Sequence, residues 1–186
     1  MVSGKGHFMS DSERFQTERL IIRRPVAADA EVIFRGYGGD LQVTRYVSWP
    51  RHQSLQDSRD FISFSDEQWA RWAAGPLLIE TADDGRVVGG TGLAFECAEF
   101  ATTGYVLSKS AWGCGYATEA LSGVIQMAAK IGLRFLRARC HPFHVTSQRV
   151  LEKNHFIREE EPRLASFPNL PDSESREALY YTRQVA

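Results

Sequence analysis

Residues 105–120 read Y-V-L-S-K-S-A-W-G-C-G-Y-A-T-E-A. The β-favouring run ends near Leu107, a loop carries Gly113 and Gly115 with one residue between them, and helix-forming residues begin at about Ala117. Glycine has no Cβ, so backbone N–H groups in such a loop can approach a ligand closely. The helix start adds donors that have no partner within the helix, together with the positive end of its dipole. A phosphate fits there without any basic side chain, and Thr118 in the first turn adds a hydroxyl. Two nucleotide loops are excluded. No Gly-Lys-Ser/Thr closes the segment, and Gly113, Gly115 and Thr118 do not complete G-x-G-x-x-G. A ligand-free strand–loop–helix junction with two glycines is the alternative.

Working outward, residues 1–16 read as a flexible leader and residues 17–186 as one domain. A short strand over 19–24 ends at Pro25. The pattern predicts a helix over 28–37, closed by Gly36, Gly38 and Gly39, and a second short helix over 40–46. Ser54 with Asp57 resembles a capping arrangement ahead of a helix over 55–73, which Gly75-Pro76 breaks. Strands over 76–81, 86–95 and 100–107 form an antiparallel meander, with Asp83-Asp84-Gly85 as its first turn. A helix over 117–131 closes at Gly132. A strand over 135–140, a helix over 145–154, a strand over 156–160, a proline-bearing loop over 161–176 and a strand over 178–184 complete the order. Helices, then a meander, then β-α-β-α-β argue one α+β domain with a mixed sheet.

The 186 residues are 43% hydrophobic and 24% charged, enough to bury a core without disulfides or metal. A formal net charge of −1 supplies no global field for nucleic acid or an anionic membrane surface. Cys97, Cys114 and Cys140 are widely spaced and form no C-x-x-C pair, which suits a reducing, cytoplasmic setting and suggests no metal site. No segment has the length and apolarity of a membrane span.

The segment W-G-C-G-Y-A-T-E-A, residues 112–120, resembles the cofactor loop of the GNAT N-acetyltransferase superfamily, in particular its ribosomal-protein-alanine acetyltransferase branch. Two further segments agree. T-E-R-L-I-I-R-R-P over 17–25 resembles that branch's opening strand, and the run over 141–156 resembles its second cofactor segment. The resemblance implies a GNAT-like α+β domain: a mixed, mostly antiparallel sheet flanked by helices, with a splayed strand pair holding acetyl-CoA. It implies that backbone N–H groups of Gly113, Cys114, Gly115, Tyr116, Ala117 and Thr118, beside Trp112, hold the pyrophosphate. Val106 and Leu107 would pair with the pantetheine arm, and one N–H there would polarise the thioester carbonyl. A primary amine, at a protein N-terminus or on a small molecule, would attack directly in a ternary complex. A homodimer is compatible with the fold, and no residue pattern decides it.

The resemblance also exposes departures. The tyrosine that many GNAT enzymes use to protonate the leaving thiolate is replaced by Leu151, and Ser147 aligns with the branch's serine, as thiol-side donor or as a helix-capping or pantetheine contact. Phe143-His144 stands where the family often has Asp-Asn, so His144 either contacts the cofactor arm or points to solvent. His155 replaces the usual glycine, so the turn there must be built differently. Cys114, where the loop often has Lys, Arg or Gln, reads as a small neutral filler. For the base that accepts the amine proton, Glu99 is the chosen residue, with Glu96, His52, His141 and relayed water as alternatives. Trp49, beside Pro50, is the acceptor-pocket candidate, whereas Trp69 and Trp72 sit at helical spacing. Competing readings are a non-catalytic acyl-CoA sensor on a degenerate GNAT fold and a nucleotide-binding protein using the same loop.

Overall fold

The computed structural model describes residues 13–171 and 176–185. Its strands are β1 (Arg14–Gln16), β2 (Leu20–Arg23), β3 (Pro76–Thr81), β4 (Val87–Phe95), β5 (Phe100–Leu107), β6 (Phe135–Cys140), β7 (Ile157–Arg158), β8 (Arg163–Leu164) and β9 (Glu177–Gln184). The α-helices are α1 (Ala30–Ile33), α2 (Leu55–Trp72), α3 (Tyr116–Lys130) and α4 (Val145–Lys153). The sheet order is β1-β2-β3-β4-β5-β6-β9-β7, with β8 on β9. Every pairing is antiparallel except β5 with β6. This is the α+β domain with a mixed sheet that the element order implied.

Each sheet face buries its own set of residues. Alternation along β2, β3 and β5 sends Leu20, Ile22, Leu77, Ile79 and Ala101 to one face. There they pack on Ala120, Leu121, Val124 and Ala128 of α3, which recur at helical spacing. Leu78 and Val106 point to the other face, against Ala30, Ile33, Tyr37 and Ile62 of the α1 and α2 region. Helix α2 starts as its sequence implied: the Asp57 carboxylate accepts the backbone N–H of Gln53 at 2.7 Å and of Ser54 at 2.9 Å. It stops where Ala73 turns left-handed, φ 53°.

Four expectations are corrected. Residues 14–16 of the expected leader form β1, and Phe15 packs on the core; residues 1–12 lie outside the described ones. The helix expected over 28–37 is a composite: a 3₁₀ turn, the single α-turn of α1, and a π-turn over Phe34–Gly38. The π-turn fits its glycines, since a Cβ on Gly38 would lie 2.7 Å from His52 Nδ1. The helix expected over 40–46 is a set of turns, because Asp40 Oδ1 takes the N–H groups of Gln42 and Val43 and competes with helical bonding. The loop expected over 161–176 contains β8, paired with β9.

Candidate active site

The parallel pair β5–β6 is joined only at its start. Phe100 faces Phe135, Ala101 faces Leu136 and Thr102 faces Arg137, and pairing then ceases although both strands continue to Leu107 and Cys140. Beyond Thr102 each strand keeps its outer neighbour, β4 as far as Leu107 and β9 as far as Cys140. The result is a gap inside the sheet, open towards the loop after β5. The bonds from Ser108 N–H to Val88 O and from Glu96 N–H to Phe100 O bracket the β4–β5 ladder. In an antiparallel ladder such bonded residues alternate, so the even-numbered residues of β5 turn their backbone groups to β4, while Thr103, Tyr105 and Leu107 turn theirs to the gap. Val106 is therefore corrected as a backbone partner for a pantetheine arm: its N–H and carbonyl serve β4 and its side chain packs on the opposite face. Leu107 keeps an N–H towards the gap, but its carbonyl accepts the Trp112 indole N–H at 2.8 Å. Trp112, 51% exposed, thus braces the loop against the end of β5.

The loop arrives at α3 through two left-handed glycines, Gly113 at φ 77° and Gly115 at φ 81°. Gly115 is the N-cap, and no side chain caps the helix, so the first-turn N–H groups of Tyr116, Ala117 and Thr118 have no side-chain partner. Residues 113–118 lie together at the mouth of the gap. Cys114 is exposed, its thiol donating to Trp112 O at 3.6 Å.

Two motifs that are distant in sequence meet beside this loop. Glu119 of α3 accepts from Thr17 Oγ1 at 2.6 Å and from Arg19 N–H at 2.7 Å through one oxygen, and from Arg19 Nε at 2.8 Å through the other. Arg19 Nη1 donates to the Cys114 carbonyl at 3.0 Å, and its guanidinium lies 4.9 Å from the centre of the Tyr116 ring. Burial alone would push the Glu119 carboxyl up; the bonds from Thr17 and Arg19 outweigh it and hold it below its ordinary value. The turn between β1 and β2 is thereby bolted to the loop. A groove of about 940 Å³ continues from Gly115 and Thr118 along α3, with Arg19, Ser122, Lys153 and Asn154 in its walls. Both motifs are legible in the sequence, but no spacing rule pairs them across about a hundred residues.

Ser147 sits inside the gap region, 7% exposed. Its Oγ is 2.9 Å from the Tyr105 hydroxyl, and its side chain is close enough to that of Cys140 to bear on the ionisation of the thiol. Continuing the β5–β6 register past Thr102 and Arg137 would place Tyr105 opposite Cys140. Ser147 of α4 therefore stands between two residues that would have been neighbours had the strands stayed together. Leu151, one turn later, is buried in the core, which explains why no polar group occupies that position. Tyr105 is the residue that sequence reading missed, because nothing in a strand pattern marks a phenol aimed across a gap.

Glu99 is corrected. It belongs to the turn before β5, its carbonyl accepts from Arg134 and Phe135 N–H, and its carboxylate lies 3.8 Å from Arg134. That is the closed end of the pair, away from Ser147. Glu96 is likewise engaged, by Thr102 and Arg137. His52 is buried, its Nδ1 2.7 Å from Ser58 Oγ, and burial lowers its pKa. His144 does not point to solvent: it stacks on Tyr46 at 5.0 Å, and Tyr46 also stacks on the fully buried His141 at 4.9 Å. Burial, then the neighbouring His141, lower the His144 pKa. Trp49 packs on His52 at 5.2 Å, and its carbonyl accepts from Asn169 Nδ2 at 2.9 Å. Asn169 also bonds Thr44 O and Arg51 N–H, pinning the loop that carries Tyr46 and Trp49.

The comparisons agree with this geometry. The family model described as an acetyltransferase (GNAT) domain matches residues 19–157. An uncharacterized N-acetyltransferase p20 of Bacillus licheniformis is 27% identical over 150 residues, covering 79% of this chain and 84% of that protein. The fold is shared with a GNAT-family acetyltransferase from Bacillus anthracis, at TM-score 0.78 and 22% identity over 92% of this chain and 98% of that one. It is also shared with RimL, a ribosomal L7/L12 α-N-protein acetyltransferase in complex with coenzyme A, at TM-score 0.80 and 18% identity over 90% of this chain and 95% of that one. With a parted parallel strand pair, an uncapped helix start at its mouth and a family model matching most of its length, this chain belongs to the GNAT acetyltransferase family.

Proposed function

We propose that the protein transfers an acetyl group from acetyl-CoA to a primary amine by direct attack in a ternary complex. One observation carries this reading: β5 and β6 part after Thr102 and Arg137, and the gap leads to the uncapped start of α3. The chemistry of that path fits acetyl-CoA. The first-turn N–H groups and Gly113–Gly115 backbone suit a pyrophosphate, and the groove along α3 suits the nucleotide end. The gap-facing backbone groups of Tyr105 and the Leu107 N–H suit an amide-bearing pantetheine arm. A gap-facing N–H of β5 polarises the thioester carbonyl, where negative charge develops as the amine attacks. The carbon–sulfur electron pair leaves on sulfur, and the Ser147 hydroxyl stabilises the thiolate. His144, at the start of α4, contributes to the wall beside the arm, and the pinned loop with Tyr46 and Trp49 bounds the acceptor side. RimL is described as acting on a ribosomal protein's α-amine, which supports a peptide or small-molecule amine as acceptor here.

The absence of a free carboxylate at the described gap residues favours one second reading, an acyl-CoA sensor without turnover. A thiol-release assay with acetyl-CoA over a panel of peptides, amino acids and polyamines separates the two. Acetyl-CoA-dependent thiol release with any amine supports the transferase. Tight binding of acetyl-CoA with no release across the panel contradicts it.

A further inference from the structure

Resting on the transferase reading, we propose that Tyr105 is a positioning residue for the transfer: its hydroxyl holds the Ser147 side chain so that the Ser147 O–H points at the leaving sulfur. The phenol oxygen lies 2.9 Å from Ser147 Oγ and 3.1 Å from the Ser147 carbonyl. The phenol donates to that carbonyl, which accepts one α4 backbone bond and keeps a second lone pair, and it also reaches Oγ, where either oxygen can donate. In the proposed arrangement the phenol hydrogen is directed to Oγ as well, which leaves the serine hydrogen for the leaving group. The Cys140 thiol on the other side is a poor acceptor while protonated, and burial pushes it up to about 11. A thiolate forming in the gap is then the best acceptor available to that hydrogen.

Three further observations agree. The tyrosine and serine come from opposite sides of the parting, so the bond forms only where the strands have separated. Burial raises the Tyr105 hydroxyl well above the ordinary phenol value, so it acts as a fixed donor and never surrenders its proton. Beside this cluster Tyr181, 0% exposed and close enough to bear on the ionisation of Tyr105, has a hydroxyl with no hydrogen-bond partner among the described residues. A buried donor left over is costly unless a polar atom arrives. In the step itself the amine nitrogen bonds the carbonyl carbon, the carbon–sulfur bond breaks with its electron pair on sulfur, and Ser147 donates a hydrogen bond without losing its proton. The amide nitrogen's surplus proton passes to solvent, and the CoA thiolate departs as product, taking up a proton from solvent.

The test is a double-mutant cycle on the full chain with Tyr105→Phe, Ser147→Ala and both together, following kcat and KM and measuring the Kd for acetyl-CoA by calorimetry. Phenylalanine keeps the ring in the core, so Tyr105→Phe is expected to fold and to bind acetyl-CoA within about twofold of wild type. Its kcat is expected to fall about tenfold, the scale of one hydrogen bond realised in the transition state. In the Ser147→Ala background the same change is expected to cost nothing further. Wild-type kcat in Tyr105→Phe, or an equal loss in both backgrounds, overturns the proposal alone. Wild-type protein that binds acetyl-CoA but turns over no amine overturns the transferase reading and this proposal with it.

Discussion

At Gly115 the backbone is left-handed, φ 81°, and a Cβ placed there would meet Arg19 Nη2 at 3.4 Å. Forcing an L-residue into that region costs about 1–2 kcal/mol, and the relaxation rotates the N–H groups of the proposed pyrophosphate site. Gly115→Ala is therefore expected to raise KM for acetyl-CoA about tenfold with kcat little changed, checked by steady-state kinetics. Arg19 acts on the same loop from outside. Its ion pair with Glu119 is half exposed, so Arg19→Ala is expected to shift thermal stability little. It is expected to raise KM for acetyl-CoA severalfold, because the Cys114 carbonyl loses the donor that orients its peptide. Lysine is expected to restore little, since one ammonium cannot span Glu119 and the Cys114 carbonyl as the guanidinium fork does. The glycine pair was legible in sequence because positive φ restricts residue type so strongly. Arg19 was visible as part of a motif, but its partner was not. Glu99 was misjudged because a carboxylate near a strand start has no marker for which end of the strand the chemistry occupies.

Elements were legible where period and capping agreed. The Ser54–Asp57 pair and the 4-3-4 spacing of Ser58, Ile62, Ser65 and Trp69 define α2 almost to the residue. β5 and β6 match their sequence boundaries, yet their parting after three residue pairs leaves no trace in composition. It is a relation between strands, and Ser147 of α4 stands at the parting beside Tyr105. The short helix over 40–46 failed for a local reason, because the Asp40 side chain took the N–H groups a helix would have used. At the end of α4 the question left by the missing glycine is answered by His155 itself, which adopts φ 57°. A non-glycine residue held there is strained, so His155→Gly is expected to stabilise the protein by about 0.5–1 kcal/mol after the entropy cost of glycine, read by urea denaturation.

Across the whole molecule, the N-terminal strands are tied to the rest by ion pairs as well as by the sheet. Arg23 bonds Asp29 through two nitrogens at 2.7 and 2.8 Å and also pairs with Glu80. Burial raises the Asp29 carboxyl, but Arg23 and the Val26 N–H outweigh it and leave it below its ordinary value. A carboxyl whose folded value is depressed stabilises the fold above its unfolded value, near pH 4, and that stabilisation is lost as pH falls through the folded value. Asp29→Asn is accordingly expected to cost about 2 kcal/mol at pH 7 and progressively less as pH falls below about 4, measured as denaturation midpoints across that range. At this scale the sheet, its two packed faces and the family were all readable from pattern and motif, whereas the acceptor is not encoded in any single element. The wall proposed for it combines the loop around Tyr46 and Trp49, which Asn169 bonds, with the turn before α4, and these lie far apart in sequence. The central claim is that the gap beyond Thr102 and the amides before α3 form one acetyl-CoA site. Isothermal titration of the full chain with acetyl-CoA tests it most directly: one saturable site in the micromolar range is expected, and no heat of binding at millimolar acetyl-CoA would contradict it.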